Sequence, residues 1–171
     1  MIREILTYPN PKLRTASHDV KNFDDRLHLL LDDMYDTMID RGGIGLAAIQ
    51  VGVELNALVI NLSNENDEQD KNDLVEIINP RVLQSEGVTT YQEGCLSVPN
   101  VYEDVERFEK IKVSFFDRDG KPHTKEYEGL MAIALQHEMD HLQGHLFIEK
   151  LSYLKRKKFE REWKKRAKTK E

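Results

Sequence analysis

Five consecutive residues, His137-Glu138-Met139-Asp140-His141, concentrate more usable chemistry than any other stretch of this 171-residue chain. On a helix, side chains four positions apart project from one face, so the two imidazoles can grip one metal ion. Glu138 is offset round the helix. It can reach a water on that ion without being a ligand, so the spacing supplies two ligands and a base together. The plain alternative is a surface helix that carries two histidines and two acids by chance, since short patterns recur. That reading weakens because Leu130, Ile133 and Ala134 place apolar residues on the same face as the histidines. Burying imidazoles and carboxylates without partners is costly. Asp140 either orients a ligand histidine from behind or faces solvent, and the first is favoured.

A catalytic ion needs a third protein ligand and an open position. Downstream, His145 and Glu149 are candidates. Upstream stands Cys95, in Glu93-Gly94-Cys95-Leu96-Ser97-Val98-Pro99. It is the chain's single cysteine, so no internal disulfide is available to it, and the thiol is either inert core or chemically used. Gly94 permits close approach of the backbone, and Pro99 keeps the segment out of a central strand. From composition alone, plain core is the better reading of Cys95.

These residues require elements to position them. Residues 24–40 read as an amphipathic helix, with Leu27, Leu30, Leu31, Met34 and Met38 on one face and Asp24 and Asp25 at its start. Arg41-Gly42-Gly43 ends it. Residues 55–62 and 74–79 are strand-like, and the acidic stretch between them reads as a mobile loop. Residues 110–117 and 121–127 flank Arg118-Asp119-Gly120 as a hairpin. Residues 129–143 form the helix that carries the histidines, stopped by Gly144, and 152–168 form a last helix. Helices and hairpins that do not alternate regularly predict an α+β fold, and the length suits a single domain spanning 1–171.

The composition, 39% hydrophobic and 33% charged, is that of a globular protein. No apolar run approaches the length of a membrane span. The first residues lack the apolar core of a secretory signal, so a cytoplasmic location is expected. The net charge of −6 hides an asymmetry. Residues 155–171 hold ten Lys/Arg and three Glu, a net of +7, which leaves −13 for the rest. Phe159 and Trp163 lie four apart and can anchor that terminal helix, which is then either a solvated face or a grip on RNA phosphates.

Three segments in order resemble the peptide deformylases: Gly43-Ile44-Gly45-Leu46-Ala47-Ala48-Ile49-Gln50, then Glu93-Gly94-Cys95-Leu96-Ser97, then His137-Glu138-Met139-Asp140-His141. The resemblance runs from Pro9 and Leu13-Arg14 to the terminal helix. It implies antiparallel sheets around a central metal-binding helix, with a further helix at the C-terminus. It implies removal of the N-formyl group from the initiator methionine of nascent peptides by a monomeric enzyme. Cys95, His137 and His141 would hold the metal, with Glu138 as acid and base. The Leu96 N–H and the Gln50 side chain would stabilise the formyl oxygen. Ile44, Gly45, Tyr91, Glu93, Gly94, Leu130, Ile133 and Ala134 would line the substrate site. The donor set alone favours zinc; the family implies Fe²⁺, with Zn²⁺, Ni²⁺ or Co²⁺ able to substitute. The family also implies that a basic C-terminal helix can dock on the ribosome. Arg107 matches a family arginine expected to pair internally, with Glu93. Tyr102 stands where many relatives carry a basic residue, which leaves the placing of the peptide beyond methionine open. A zinc endopeptidase shares the histidine helix but lacks the other two motifs. A non-catalytic relative would have lost the base or a ligand, and a nucleic-acid-binding protein rests on the tail alone.

Overall fold

The computed structural model describes residues 1–169. Helix α1, Asp25–Asp40, starts where expected: the Asp24 carboxylate accepts a hydrogen bond from the Leu27 N–H. This satisfies one of the donors left over at a helix start. Seven strands follow: β1 (Gly45–Ala47), β2 (Ala57–Ile60), β3 (Val75–Glu86), β4 (Thr89–Cys95), β5 (Val98–Arg107), β6 (Lys110–Phe116) and β7 (Pro122–Glu128). Helix α2, Gly129–Leu142, carries the two histidines, and α3, Tyr153–Thr169, closes the described chain. Lys170 and Glu171, the end of the basic tail, lie outside the described residues. Among the described residues no helix is long and apolar enough to cross a membrane.

One sheet has five antiparallel strands in the order β1-β2-β3-β6-β7, and β4 and β5 form a separate two-stranded ribbon. Strand side chains alternate between faces, and this sheet uses both. Ala57 and Val59 of β2 pack with Leu30, Leu31, Met34 and Met38 of α1. Leu58 and Ile60 pack instead with Ala132, Ala134 and Leu135 of α2. Helix α2 is buried almost all round, with His137, Glu138 and His141 turned away from the sheet core. Its second side meets the β4–β5 ribbon through Glu93 and Arg107. The central helix between antiparallel sheets, within an α+β fold, is therefore observed.

Some boundaries differ from the sequence reading. Strand β3 continues well past 79, because Asn79 adopts a left-handed φ of 52° and the ladder shifts register between Ile78 and Arg81. Pro80, which has no N–H to give, falls within that irregularity. The β4–β5 ribbon was not expected: β4 is mostly exposed and polar, and although β5 alternates in burial from Val101 to Arg107, its inward positions include the charged Glu103 and Arg107, so no hydrophobic alternation marks it. The acidic loop before β3 is tied down at Gln69, whose Nε2 donates to the carbonyls of Gly43 and Asn61.

A third, smaller core lies under α3. Phe159 is buried with Leu13, Val98, Val105 and Phe147, and Tyr8 contacts both Phe159 and Trp163 edge-on. The aromatic pair thus anchors α3 as its spacing predicted. The N-terminal segment crosses the ribbon and the loop after β1. Leu6 N–H donates to Gln50 O, and Tyr8 N–H donates to Ser97 O, each at 2.7 Å.

Candidate active site

The two imidazoles of α2 come together with the thiol at the end of β4. Cys95 Sγ, His137 and His141 form a group whose ligand atoms all lie within 4.8 Å of one another. Cys95 Sγ is 3.3 Å from His141 Nε2. Bonds of about 2.0–2.3 Å to one tetrahedral ion would set such atoms about 3.3–3.7 Å apart. The residues therefore fit a single soft or borderline cation. The other candidates, His145 and Glu149, are occupied with each other at 3.0 Å and stand outside this group.

Each ligand is delivered by a local feature. A register irregularity between Glu93 and Cys95 turns the end of β4 toward α2. Glu93 Oε1 accepts from His137 Nδ1 at 2.8 Å, which directs Nε2 into the site. Arg107 binds the same carboxylate with two hydrogen bonds, Nε to Oε2 and Nη2 to Oε1, and its Nη1 reaches Asp140. The expected Arg107–Glu93 pair is present and buried on both sides. Asp140 is a correction: it touches Arg107 rather than a histidine, so its influence on His137 passes through two intermediate groups. The role assigned to it from the sequence belongs to Glu93. Glu93 does border the cleft, but its carboxylate is committed to His137 and Arg107.

The electrostatics follow from burial and these partners. Burial alone would raise Glu93, yet the hydrogen bonds from Arg107 and His137 hold it below its usual range. Burial lowers His141 well below the ordinary histidine value, helped by the charges of His137 and Arg107, which favours the neutral ring a metal needs. Burial would lower His137 too, but Cys95, Glu93 and Glu138 outweigh it and raise it well above its usual value. The negative field that holds a proton on His137 would equally attract a cation. Burial pushes the Glu138 carboxyl up to about 7. Its Oε1 is 3.8 Å from His137 Nε2, and Oε2 is buried with no hydrogen-bond partner among the described residues. A buried carboxylate with an unused oxygen beside a possible metal is able to exchange a proton with whatever binds there.

Gln50 enters from the short 3-10 turn after β1. Its Oε1 accepts from Ala47 N–H at 2.9 Å, which fixes the amide's orientation. Nε2 then donates to Ser97 Oγ at 3.0 Å and points to Cys95 Sγ at 3.6 Å. Leu96 follows Cys95 at the turn between β4 and β5 and lies against Gly43.

Most of the groups at this site border one cleft of about 440 Å³. Ile44, Gly45, Tyr91, Glu93, Gly94, Leu130, Ile133 and Ala134 border it together with Gln50, Cys95, Leu96, His137 and Glu138, while His141 is fully buried beneath. Gly45 packs closely on the Glu138 side chain. A Cβ there would lie 3.1 Å from both Cγ and Oε1 of Glu138. The sequence reading missed Ser97, which anchors Gln50, and Arg41, which reaches the cleft rim from the end of α1. Ser97 lies within the cysteine motif and is polar among apolar neighbours; Arg41 had no local signal beyond ending a helix.

A mixed fold with one central helix that presents two histidines and a glutamate toward a cysteine-bearing strand is the arrangement of a mononuclear metallohydrolase. A protein-family model described as polypeptide deformylase matches residues 2–157. A peptide deformylase from Nautilia profundicola is 54% identical over 169 residues, covering 99% of this chain and 97% of that protein. One from Campylobacter jejuni is 53% identical, covering 98% and 97%. The crystal structure of a peptide deformylase from Legionella pneumophila superposes with a TM-score of 0.89 at 43% identity, covering 100% of this chain and 99% of that one. The chain belongs to the peptide deformylase family.

Proposed function

We propose that the protein is a metal-dependent hydrolase that removes the N-formyl group from the N-terminal methionine of newly made polypeptides, its whole length acting as one catalytic domain. The observation that carries this reading is the convergence of Cys95, His137 and His141 with the Glu138 carboxylate, whose Oε2 has no hydrogen-bond partner among the described residues, at one cleft. Cys95, His137 and His141 would hold the ion. When bound, the ion supplies Lewis acidity, lowering the pKa of water and polarising a carbonyl.

Glu138 accepts a proton at its carboxylate and returns it to the departing amine. As charge develops on the formyl oxygen, the Leu96 N–H and the Gln50 Nε2–H turn to it. Gln50 can do so because Ser97 and Ala47 hold the amide while one N–H is left facing the thiol. Such a donor contributes about 10²–10³ in rate. Methionine lies against Ile44, Tyr91, Leu130, Ile133 and Ala134. The narrow gap between Gly45 and Glu138 favours the hydrogen of a formyl group over the methyl of an acetyl group.

Iron(II) is the proposed resident metal, with Zn²⁺, Ni²⁺ or Co²⁺ able to replace it. A thiolate and two imidazoles accept any of these. The enzyme works as a monomer in the cytoplasm, where its substrate is made. Helix α3, with Lys158, Arg161, Lys164 and Lys165 on exposed positions, docks it on ribosomal RNA. Purification without oxygen, metal analysis and assay on formyl-Met-Ala-Ser and acetyl-Met-Ala-Ser test the reading. One equivalent of metal and turnover of the formyl peptide only are expected; equal turnover of both, or none with metal bound, opposes it.

A further inference from the structure

Beyond the apolar end that receives methionine, the cleft has one exposed charge among its described lining residues. Arg41 borders the cleft, and its side chain is 54% exposed. The carboxylates and the imidazole there, Glu93, Glu138 and His137, are all buried. Arg41 is held in place by the way α1 ends. Its N–H donates to Thr37 O, Gly42 takes a φ of 69°, and the Gly43 N–H closes back on Met38 O. Its ion-pair partner, Asp40, is 3.8 Å away, itself 48% exposed, and adjacent in the chain, so the guanidinium is weakly engaged.

On the ribbon side of the same rim, none of the lining residues from Tyr91 to Tyr102 is Lys or Arg, and the Arg166 guanidinium of α3 is committed to the carbonyls of Pro99 and Asn100 at 3.1 and 3.3 Å. Tyr102 is 64% exposed and its ring lies against Gly94, where a Cβ would meet it at 2.6 Å. A peptide leaving the methionine pocket therefore passes an aromatic surface and the Arg41 guanidinium. Guanidinium binds carboxylates bidentately and stays charged at any working pH.

We propose that Arg41 forms a subsite for an acidic side chain close behind the formyl-methionine, so that the enzyme prefers substrates with Asp or Glu there. The proposal rests on the deformylase reading and names the substrate class of that same cleft. The interaction is solvent-exposed, so its size is that of a surface ion pair, about two- to fivefold in kcat/KM. It is uniform binding and therefore resides in KM rather than kcat.

The test uses metal-loaded enzyme and formyl-Met tripeptides with Glu, Gln or Lys at the second or the third position, at 20 mM and 500 mM NaCl. Wild type is expected to rank Glu over Gln over Lys in at least one series at low salt, through KM. The ranking shrinks at high salt. Arg41→Gln flattens the ranking, and Arg41→Glu reverses it. A flat wild-type profile in both series, or a ranking unchanged in Arg41→Glu, overturns the subsite while leaving the deformylase reading intact. No turnover of any formyl peptide overturns that reading and the subsite together.

Discussion

Glu93 and Arg107 meet through two parallel hydrogen bonds of 2.7 and 2.8 Å, and the same Glu93 carboxylate accepts from His137 Nδ1. One buried fork therefore sets the tautomer and the angle of a ring in the candidate metal site. Asp140 extends the chain of charges outward and meets Lys150 at 3.8 Å near the surface.

Replacing Arg107 by Met leaves Glu93 buried beside His137 without its main partner. Breaking a buried pair from one side costs about 3–5 kcal/mol. Urea denaturation should show a lower midpoint by that amount, and metal affinity should fall about 10–100-fold as His137 loses its support. Asp140→Asn, one link further out, should cost less on both measures. An Arg107→Met protein with unchanged midpoint and affinity would mean the fork positions nothing.

Acid should dismantle the same fork. The folded state holds Glu93 below the ordinary glutamate value of 4.5. A depressed carboxylate contributes stability that is present above the unfolded value and lost as pH falls through the folded one. Melting temperature should therefore drop as pH is lowered below about 4.5, and Glu93→Gln should flatten that part of the curve. Parallel curves for the two proteins would assign acid unfolding to other groups.

Glu138→Gln should keep its metal and lose about 10²–10⁴ in kcat, the usual worth of a positioned proton acceptor. Its stability effect in the metal-free protein has the opposite pH sign to that of Glu93. Burial raises Glu138 to about 7, so the carboxyl is easily housed when neutral and increasingly costly as pH rises through that value. Chelated Glu138→Gln should gain melting temperature relative to chelated wild type between pH 5 and pH 8. A constant difference across that range would show that the carboxyl is not strained by burial.

Cys95→Ala should reduce bound metal from about one equivalent to near zero, because two imidazoles alone leave a catalytic site short of its usual three ligands. Glu149→Ala, at the candidate that stands outside the cluster, should leave metal content unchanged. Retention of metal by Cys95→Ala would return the third ligand to the downstream histidine or glutamate.

For α3, removal of charge separates docking from folding. Deleting the helix would expose the core around Phe159, so truncation mixes the two. A protein with Lys158, Arg161, Lys164 and Lys165 all changed to Gln should melt near wild type but sediment with ribosomes less at low salt, and the wild-type association should weaken steeply as salt rises. Equal sedimentation of the two proteins at low salt would rule out docking through these charges.

The sequence carried the parts whose periodicity is enforced by burial on one side. Leu27 to Met38 and the β6–β7 hairpin read correctly because α1 and β6 each have a buried face, and the helix has a clear start and the hairpin a clear turn. Strands β4 and β5 did not, since a two-stranded ribbon with a mostly solvated surface imposes no alternation on Thr89, Thr90 or Gln92. Within the site, spacing pointed to His137, Glu138 and His141, because one helix supplies all three. Cys95 needed the family resemblance, as no local rule connects a thiol to a helix more than forty residues away. The misassigned role of Asp140 has the same origin. Sequence proximity suggested it would serve its neighbouring histidines, whereas the helix turns it toward Arg107 and leaves Glu93 to orient the ring. Arg41 was invisible as a cleft residue because its position depends on how a helix end meets a ribbon.

The strap formed by Leu6 and Tyr8 fixes an order on assembly. These residues are synthesised early, yet the carbonyls they bind belong to Gln50 and Ser97. The ligands at 95, 137 and 141 come later still. No incomplete chain short of residue 141 can therefore present the full set of ligands to an ion. Metal uptake is then a late event, and a bound ion certifies that distant parts of the polypeptide have already found one another.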